Sequence, residues 1–214
     1  MALKLEQVSI ALAGRPLIAA FSLGIAPGET VTLMGASGSG KSTLLSFIAG
    51  DLEAPFTATG SVVLDGAEVG GQPPETRHIG RLFQDDLLFP HLTVAENLLF
   101  GVARGGRAAR LAQVDAALAE AELEGYGERP PHTLSGGQRA RVALMRALLA
   151  APNAMLLDEP FNKLDAELRQ TMRSFVFEHI AQRRIPCLMV THDAADVPRG
   201  GRVLLLKDGK VSHA

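Results

Sequence analysis

Apolar and polar side chains alternate along the first part of the chain. Residues 3–10 read Leu-Lys-Leu-Glu-Gln-Val-Ser-Ile, and this period of two is typical of a half-buried strand. A second strand is predicted over residues 17–25, and the apolar run 31–34 indicates a buried one. Residues 60–65 predict a strand that ends in an Asp-Gly turn, so we expect an antiparallel sheet beside the buried strand.

The pattern changes after a further predicted strand at residues 79–84. Apolar positions recur with helical spacing in the alanine-rich stretch 107–121, which we interpret as part of a helical insertion. Strands then return on either side of one more helix, and a hairpin with a second Asp-Gly turn closes the pattern. These later elements are the strands 154–158 and 186–191, the helix 164–184 and the hairpin 203–211.

Strands that alternate with helices indicate a parallel sheet covered by helices. The predicted fold class is therefore α/β, with a mainly parallel core sheet, an N-terminal antiparallel β subdomain and an α-helical subdomain. The 214 residues suit a single domain over 1–214. Its core is predicted at about 1–84 and 151–214, and its helical subdomain at about 85–150.

Composition narrows the classes of partner. The net charge is −2 and no dense cluster of lysine and arginine occurs, so we expect no nucleic acid partner. No apolar run approaches the roughly 18 to 20 residues that span a bilayer, and the first residues lack the pattern of a signal peptide. The single cysteine, Cys187, lies in an apolar strand and is expected to be inert core.

One glycine-rich stretch carries distinctive chemistry. It fits the phosphate-binding pattern G-x-x-x-x-G-K-[ST] between a buried strand and a helix. Its glycines can wrap an anion, Lys41 would reach the β- and γ-phosphates, and the Ser42 hydroxyl would bind Mg²⁺. A turn without a ligand is the alternative, but the flanking elements favour a bound nucleoside triphosphate. The predicted binding residues are Gly35, Ala36, Ser37, Gly38, Ser39, Gly40, Lys41, Ser42 and Thr43.

Two acidic residues close the apolar strand 154–158. Asp158 is where a carboxylate that holds Mg²⁺ belongs, and Glu159 can act on the attacking water as general base or orienting acceptor. A solvated strand end is the simpler explanation. Two acids at the end of an apolar strand are costly in a core, however, and they suit a metal site.

The string Leu-Ser-Gly-Gly-Gln at residues 134–138 precedes another predicted helix. Ser135 and Gln138 have the spacing of a capping box, which explains a helix start. The spacing does not explain Gly136 and Gly137, because glycine in a first turn lowers helix propensity by roughly 1 kcal/mol per residue. The two glycines suit a backbone that closely approaches an anion.

Together with Gly-Ala-Ser-Gly-Ser-Gly-Lys-Ser, Met-Leu-Leu-Asp-Glu-Pro and Thr-His-Asp at 191–193, this string resembles the signature of ATP-binding cassette (ABC) ATPases. The resemblance spans almost the whole chain and is greatest to short importer-type cassettes. It implies a P-loop NTPase fold, ATP and Mg²⁺ as ligands, and ATP hydrolysis coupled to transport.

The resemblance also implies roles for single residues. Gln84 would bind Mg²⁺ and sense a membrane partner, and His192 would lie at the γ-phosphate, although a strand-end histidine with an ordinary hydrogen bond is the alternative. Asp165 would end a loop that crosses a dimer interface. The residues that would complete the ATP site of the opposite subunit are Ser135, Gly136, Gly137 and Gln138.

The partners implied are a second ATPase subunit, integral-membrane permease subunits and an extracytoplasmic solute-binding protein. The chain is expected as a peripheral protein at the cytoplasmic face of the cell (inner) membrane. Residues 85–101 form an apolar stretch that suits a groove for a permease helix, with ordinary core as the alternative. A soluble ABC-type ATPase acting on DNA or ribosomes is the second hypothesis, but its usual coiled-coil insertion is absent from the sequence.

The sequence departs from the family pattern at two positions. Many relatives have an aromatic ring near position 12 to stack on adenine, whereas this chain has Leu12, which predicts weaker or less base-selective nucleotide binding. Lys163 brings a charge to a position in the interface loop that is usually small and neutral. The sequence assigns this lysine no role.

Overall fold

The computed structural model describes residues 2–213, so Met1 and Ala214, the two ends of the predicted domain, lie outside the described residues. Within that range the chain forms two β-sheets and five α-helices. The strands are β1 (Leu3–Leu12), β2 (Arg15–Ile25), β3 (Thr30–Gly35), β4 (Phe56–Leu64), β5 (Ala67–Glu68), β6 (Ile79–Leu82), β7 (Ala154–Asp158), β8 (Cys187–Thr191), β9 (Arg202–Lys207) and β10 (Lys210–His213). The helices are α1 (Lys41–Ala49), α2 (Val94–Gly101), α3 (Arg107–Glu120), α4 (Gly136–Leu149) and α5 (Ala166–Gln182).

The N-terminal sheet is antiparallel, as predicted, with the strand order β2-β1-β4-β5. The alternation in β1 buries Leu3 and Leu5 and exposes the residues between and after them. It is interrupted at Gln7, whose φ of 49° accompanies a shift in register on both sides of the strand. This bulge restores the inward direction at Val8, which is fully buried.

The second sheet has the order β10-β9-β3-β8-β7-β6. All neighbours are parallel except the β9–β10 hairpin, which confirms the mainly parallel core sheet. The hairpin turns at Asp208 and Gly209, whose φ values of 49° and 73° are those of the predicted Asp-Gly turn. Cys187 is buried in β8, where burial raises the pKa of its thiol to about 12, so it is not a nucleophile at neutral pH.

The parallel sheet separates two apolar cores. In β7 the side chains of Ala154 and Leu156 face a core shared with α1 and the antiparallel sheet. Met155 and Leu157, which point the other way, belong to a core shared with the helices α2 to α5. Because a parallel sheet with both faces covered needs apolar residues at every position, this strand is a continuous apolar run.

The predicted helical region contains α2, α3 and α4, and α4 packs against both α2 and β6. Thr93 and Glu96 form a complete capping box at the start of α2. The strand predicted over 79–84 ends earlier, at Leu82, because its pairing partner β7 is matched to it only as far as Leu157. Within residues 2–213 no helix is both long and apolar enough to cross a lipid bilayer.

Candidate functional site

The glycine-rich loop lies where β3 ends and α1 begins. Gly38 and Gly40 have φ values of 77° and 102°, which favour glycine over any other residue. At Gly35 a Cβ atom would lie 2.6 Å from the main-chain oxygen of Leu206, so a side chain is excluded by the neighbouring strand β9. The loop therefore needs glycine at these three positions. The N-terminus of α1, with its free main-chain N–H groups, follows the loop directly and favours a bound anion.

Lys41 is the first residue of α1, and its side chain is only 4% exposed. Its ammonium group donates hydrogen bonds to the main-chain oxygens of Gly35, at 2.8 Å, and Ala36, at 2.9 Å. A carboxylate oxygen of Glu159 lies 3.9 Å away. The Lys41 ammonium group thus lies against the loop, where its positive charge attracts an anion.

Two side chains with oxygen atoms that can bind a metal ion lie in contact beside the loop. The Ser42 hydroxyl donates a hydrogen bond of 2.8 Å to Asp158 Oδ1, at the end of β7. A hydroxyl and a carboxylate in contact fit a Mg²⁺ site that is completed by phosphate oxygens and water. Within residues 2–213 no group of three or more histidine, cysteine or acidic side chains is placed to hold a metal ion.

Arg81 of β6 holds the second oxygen of the same carboxylate. Its guanidinium donates to Asp158 Oδ2 at 3.0 Å and to Asp51 Oδ2 at 3.1 Å. The side chains of Arg81 and Asp158 are only 11% and 13% exposed. Sequence reasoning missed this arginine, although a charged residue in the apolar strand β6 was a usable signal.

Glu159 lies at the centre of the site. Its backbone has a φ of 48°, an uncommon conformation for a residue with a side chain, and its N–H donates to the Val190 oxygen at 3.0 Å. Its carboxylate accepts a hydrogen bond from the Asn162 side-chain amide. His192 Nδ1 lies 3.3 Å from Glu159 Oε2. The structure therefore brings together Lys41, Glu159 and His192.

A small hydrogen-bonded turn presents His192 after β8. The Thr191 hydroxyl donates to Asp196 Oδ2 at 2.9 Å and accepts the N–H of Asp193 at 3.1 Å. Arg169 donates to the Asp193 carboxylate at 2.6 Å. Burial raises the pKa of Asp196. The His192 side chain is half exposed. The hydrogen bonds of Thr191 and Asp193 hold the backbone on either side of it.

Gln84 lies apart from this cluster. It follows the end of β6, is exposed, and makes no side-chain hydrogen bond among the described residues 2–213. It lines a separate cavity of about 120 Å³ together with Gly136 and Leu164. The structure thus corrects the expected strand-end position of Gln84 and does not bring it against Ser42 or Asp158.

The Ser135–Gln138 corner is a capped helix start, as its spacing predicts. The Gln138 N–H donates to the Ser135 hydroxyl at 3.3 Å, and the Ser135 N–H donates to Gln138 Oε1 at 2.9 Å. At Gly137 a Cβ atom would lie 2.4 Å from the Leu168 side chain, so a larger residue here would require Leu168 of α5 to move. At Gly136 only the far end of Arg139 comes within 4.0 Å, and packing gives no reason for the missing side chain.

Asp165 and Lys163 lie in the loop that precedes α5, which was predicted to cross a dimer interface. Asp165 caps α5, because its Oδ1 atom accepts the N–H of Leu168 at 2.9 Å. Lys163 forms an ion pair with Asp85, on the segment that follows Gln84. Both partners of this pair are more than half exposed, so the pair contributes little stability.

A mainly parallel sheet with a phosphate loop after β3 and an acidic pair at the end of β7 defines a nucleotide-binding protein of the P-loop NTPase class. Comparison with known proteins identifies the family within this class. The family model for ABC transporters matches residues 18–162. The chain belongs to the ABC transporter family, and it is an ATP-binding, ATP-hydrolysing subunit of such a transporter.

Individual relatives agree with this assignment. The chain is 46% identical to the uncharacterized ABC transporter ATP-binding protein YnjD of Escherichia coli (strain K12), over 93% of this chain and 92% of that protein. It is also 46% identical to the thiamine import ATP-binding protein ThiQ of Jannaschia sp. (strain CCS1), over 88% and 82%. The putrescine transport ATP-binding protein PotG of Escherichia coli (strain K12) is 38% identical, and the chain spans 55% of its length.

Proposed function

We propose that this chain works as a homodimer at the cytoplasmic face of the inner membrane, where ATP hydrolysis drives solute uptake through separate integral-membrane permease subunits. The uptake direction is supported by relatives that are import proteins by name, such as ThiQ. An extracytoplasmic solute-binding protein would deliver the solute to the permease. The family match favours this function over a soluble ATPase acting on DNA or ribosomes.

The loop of residues 35–43 would hold the phosphates of ATP through its main-chain N–H groups. Lys41 would exchange its bonds to the Gly35 and Ala36 oxygens for bonds to the β- and γ-phosphates. Ser42 and Asp158 would hold Mg²⁺, which supplies positive charge to offset that of the phosphate oxygens. Gln84 would join them only if its exposed segment moves toward the loop.

Glu159 would orient the attacking water and accept its proton. Asn162 and His192 both contact its Oε2 oxygen, and the Lys41 ammonium lies 3.9 Å from Oε1. His192 is half exposed on the open side of the carboxylate, where the γ-phosphate would lie. Such a fixed carboxylate suits general base catalysis, which depends on placing the base within hydrogen-bond reach of the water.

One observation supports the dimer above all. The phosphate loop and Glu159 line a cavity of about 300 Å³, whereas Gly136 of the Ser135–Gln138 corner lines a different cavity, together with Gln84. Neither Ser135 nor its neighbours lines the phosphate cavity of their own chain. The open side of Gly136 is therefore available to an ATP held by a second copy, and Asp165 would lie at the same interface.

The energetics of such a dimer are reasonable. Shifting it from mostly open to mostly closed takes about 5.5 kcal/mol of differential binding. Charge-assisted hydrogen bonds contribute roughly 1.5 to 3 kcal/mol each, so a few bonds at each of two ATP sites are sufficient. Loss of the γ-phosphate removes these bonds and lets the dimer open.

Cysteine crosslinking tests the arrangement. In a chain with Ser39→Cys and Ser135→Cys, together with Glu159→Gln to trap ATP, we expect disulfide-linked dimers that form with Mg-ATP and not with ADP. Each single cysteine variant is the matched control. A crosslink that joins the two positions within one polypeptide, whatever the nucleotide, would rule out the proposed dimer.

Affinity capture tests the transporter partner. The tagged chain, recovered from detergent-solubilised membranes, should bring with it a polytopic membrane protein that mass spectrometry identifies. Capture of ribosomes or DNA in place of a membrane protein would instead support the soluble ATPase.

A further inference from the structure

The cavity above the phosphate loop has two chemically different ends. One end is polar and is formed by loop residues with Lys41, Ser42 and Glu159. The other end is apolar and is formed by Leu12, Leu17 and Phe56, which come from three different strands or their ends. The cavity has a volume of about 300 Å³, at the lower limit of the range for small-molecule sites.

Strand pairing places Phe56 in this cavity. It is the first residue of β4 and pairs directly with Leu12, the last residue of β1. The backbone before the ring is fixed, because the Ala13 N–H donates to the Pro55 oxygen at 3.1 Å and the Phe56 N–H donates to the Glu53 oxygen at 3.0 Å. The side chain is only partly buried.

The aromatic faces of Phe56 have no ring or cation stacked on them among residues 2–213. Phe56 is also the one aromatic side chain of the described chain that lines this cavity. Leu12, its partner across the strands, is 39% exposed and leaves the space beside the ring open.

We infer that Phe56 is the residue that stacks on the nucleobase, with Leu12 and Leu17 completing an apolar platform. This inference rests on the proposed nucleotide site. A triphosphate held at the polar end leaves the base to reach the apolar end of the same cavity. Stacking on an aromatic face needs no particular base, because every base has a π-face.

The inference changes the expectation drawn from Leu12. Leucine at position 12 does not leave the base without a ring, because the neighbouring strand supplies one. The side chains of the apolar end carry no hydrogen-bonding group, so the platform does not distinguish adenine from guanine. We therefore expect ATP and GTP to bind with similar affinity.

Isothermal titration of three ligands tests the assignment. With Phe56→Leu, affinity for ATP and for GTP should fall about five- to tenfold, the lower part of the range for base–aromatic stacking. Affinity for inorganic triphosphate, which has no base, should stay within about twofold. Phe56→Tyr should bind both nucleotides as the native chain does, because it keeps the ring.

Phe21→Leu is the matched control, since Phe21 lies in the same sheet, packs on the same core and does not line the cavity. It should leave all three affinities unchanged. Native ATP affinity in Phe56→Leu, or an equal loss for ATP and triphosphate, would overturn the assignment. A native chain that binds neither ATP nor triphosphate would instead overturn the proposed nucleotide site itself.

Discussion

Glu159, the proposed general base, is held in an uncommon conformation by its surroundings. Its backbone takes a left-handed conformation directly after a regular strand, and its carboxylate is contacted by Asn162 and His192. Non-glycine residues in such conformations concentrate at functional sites, where surrounding contacts hold them. The proposed general base is this carboxylate rather than that of Asp158, whose two oxygens accept hydrogen bonds from Ser42 and Arg81.

Replacement of Glu159 by glutamine separates binding from chemistry. We expect ATP turnover to fall at least about 100-fold, because an amide cannot accept the proton of the attacking water. ATP affinity should be retained, since Lys41 and the loop remain. Phosphate release and equilibrium ATP binding are the two measurements.

Glu178→Gln is the control for this prediction, because Glu178 is an exposed residue of α5 away from the site. It should behave as the native chain. Native turnover in Glu159→Gln would mean that another group handles the water.

At the residue scale, short motifs predicted the phosphate loop, the acidic pair and the Ser135–Gln138 corner. They did not disclose Arg81, Asn162 or Phe56, whose contributions depend on contacts between segments distant in sequence. Gly137 is a different case, because its close packing against Leu168 is a second reason for a small residue. Spacing alone could not separate that packing reason from a binding reason.

At the scale of elements, Arg81 ties β6 to β7 and to the end of α1. It contacts Asp158, Asp51 and Ser46, and its guanidinium lies 4.5 Å from the centre of the Phe83 ring. Breaking a mostly buried ion pair leaves an uncompensated charge, which is far more costly than losing a surface pair. This arginine therefore contributes to the placement of the Asp158 carboxylate.

Arg81→Met should lower the free energy of unfolding by about 2 to 4 kcal/mol, measured by urea denaturation, because the Asp158 carboxylate loses its cation in a mostly buried site. Arg183→Met is the matched control, since Arg183 pairs with Glu120 at a more exposed position. Its cost should stay below about 1 kcal/mol. Equal costs for the two variants would contradict a special role for Arg81.

Strands and helices were predictable because their periods differ, and their order along the chain agrees with the prediction. What the pattern could not provide was register. The bulge at Gln7 and the pairing of Leu12 with Phe56 are set by contacts between strands. The predicted end of β6 was wrong by two residues, since a strand ends where its partner stops pairing with it.

At the scale of the whole molecule, the stretch 85–101 divides into two parts. Leu88, Val94 and Leu98 are buried in the helical core, so the simpler interpretation holds for them. Leu87 and Phe100 are 53% and 71% exposed. These two side chains form the part of the stretch that suits a membrane partner.

Phe100→Ser should therefore reduce recovery of the permease in affinity capture at least about fivefold, because it removes an exposed apolar contact. ATP hydrolysis by the isolated chain should remain within about twofold of native, since Phe100 lines neither cavity. Leu111→Ser is the control, because Leu111 is an exposed apolar residue on α3. Equal recovery with both variants would mean that the permease binds elsewhere.

The parallel sheet has a consequence for how the molecule comes apart. Alternate side chains of β7 belong to different cores, so loss of either core strips one side of the same strand. We expect one cooperative melting transition in calorimetry, with a van't Hoff enthalpy equal to the calorimetric enthalpy. Two resolved transitions would contradict this.

Tyr126, the single tyrosine in a chain without tryptophan, packs against the helical core and offers a second probe of the same event. Its fluorescence should change at the same temperature as the circular dichroism of the sheets. Because the two cores share the strands of one sheet, each core depends on the other for its stability. We therefore expect a fragment that lacks the helical region to leave one face of β7 exposed and not to fold on its own.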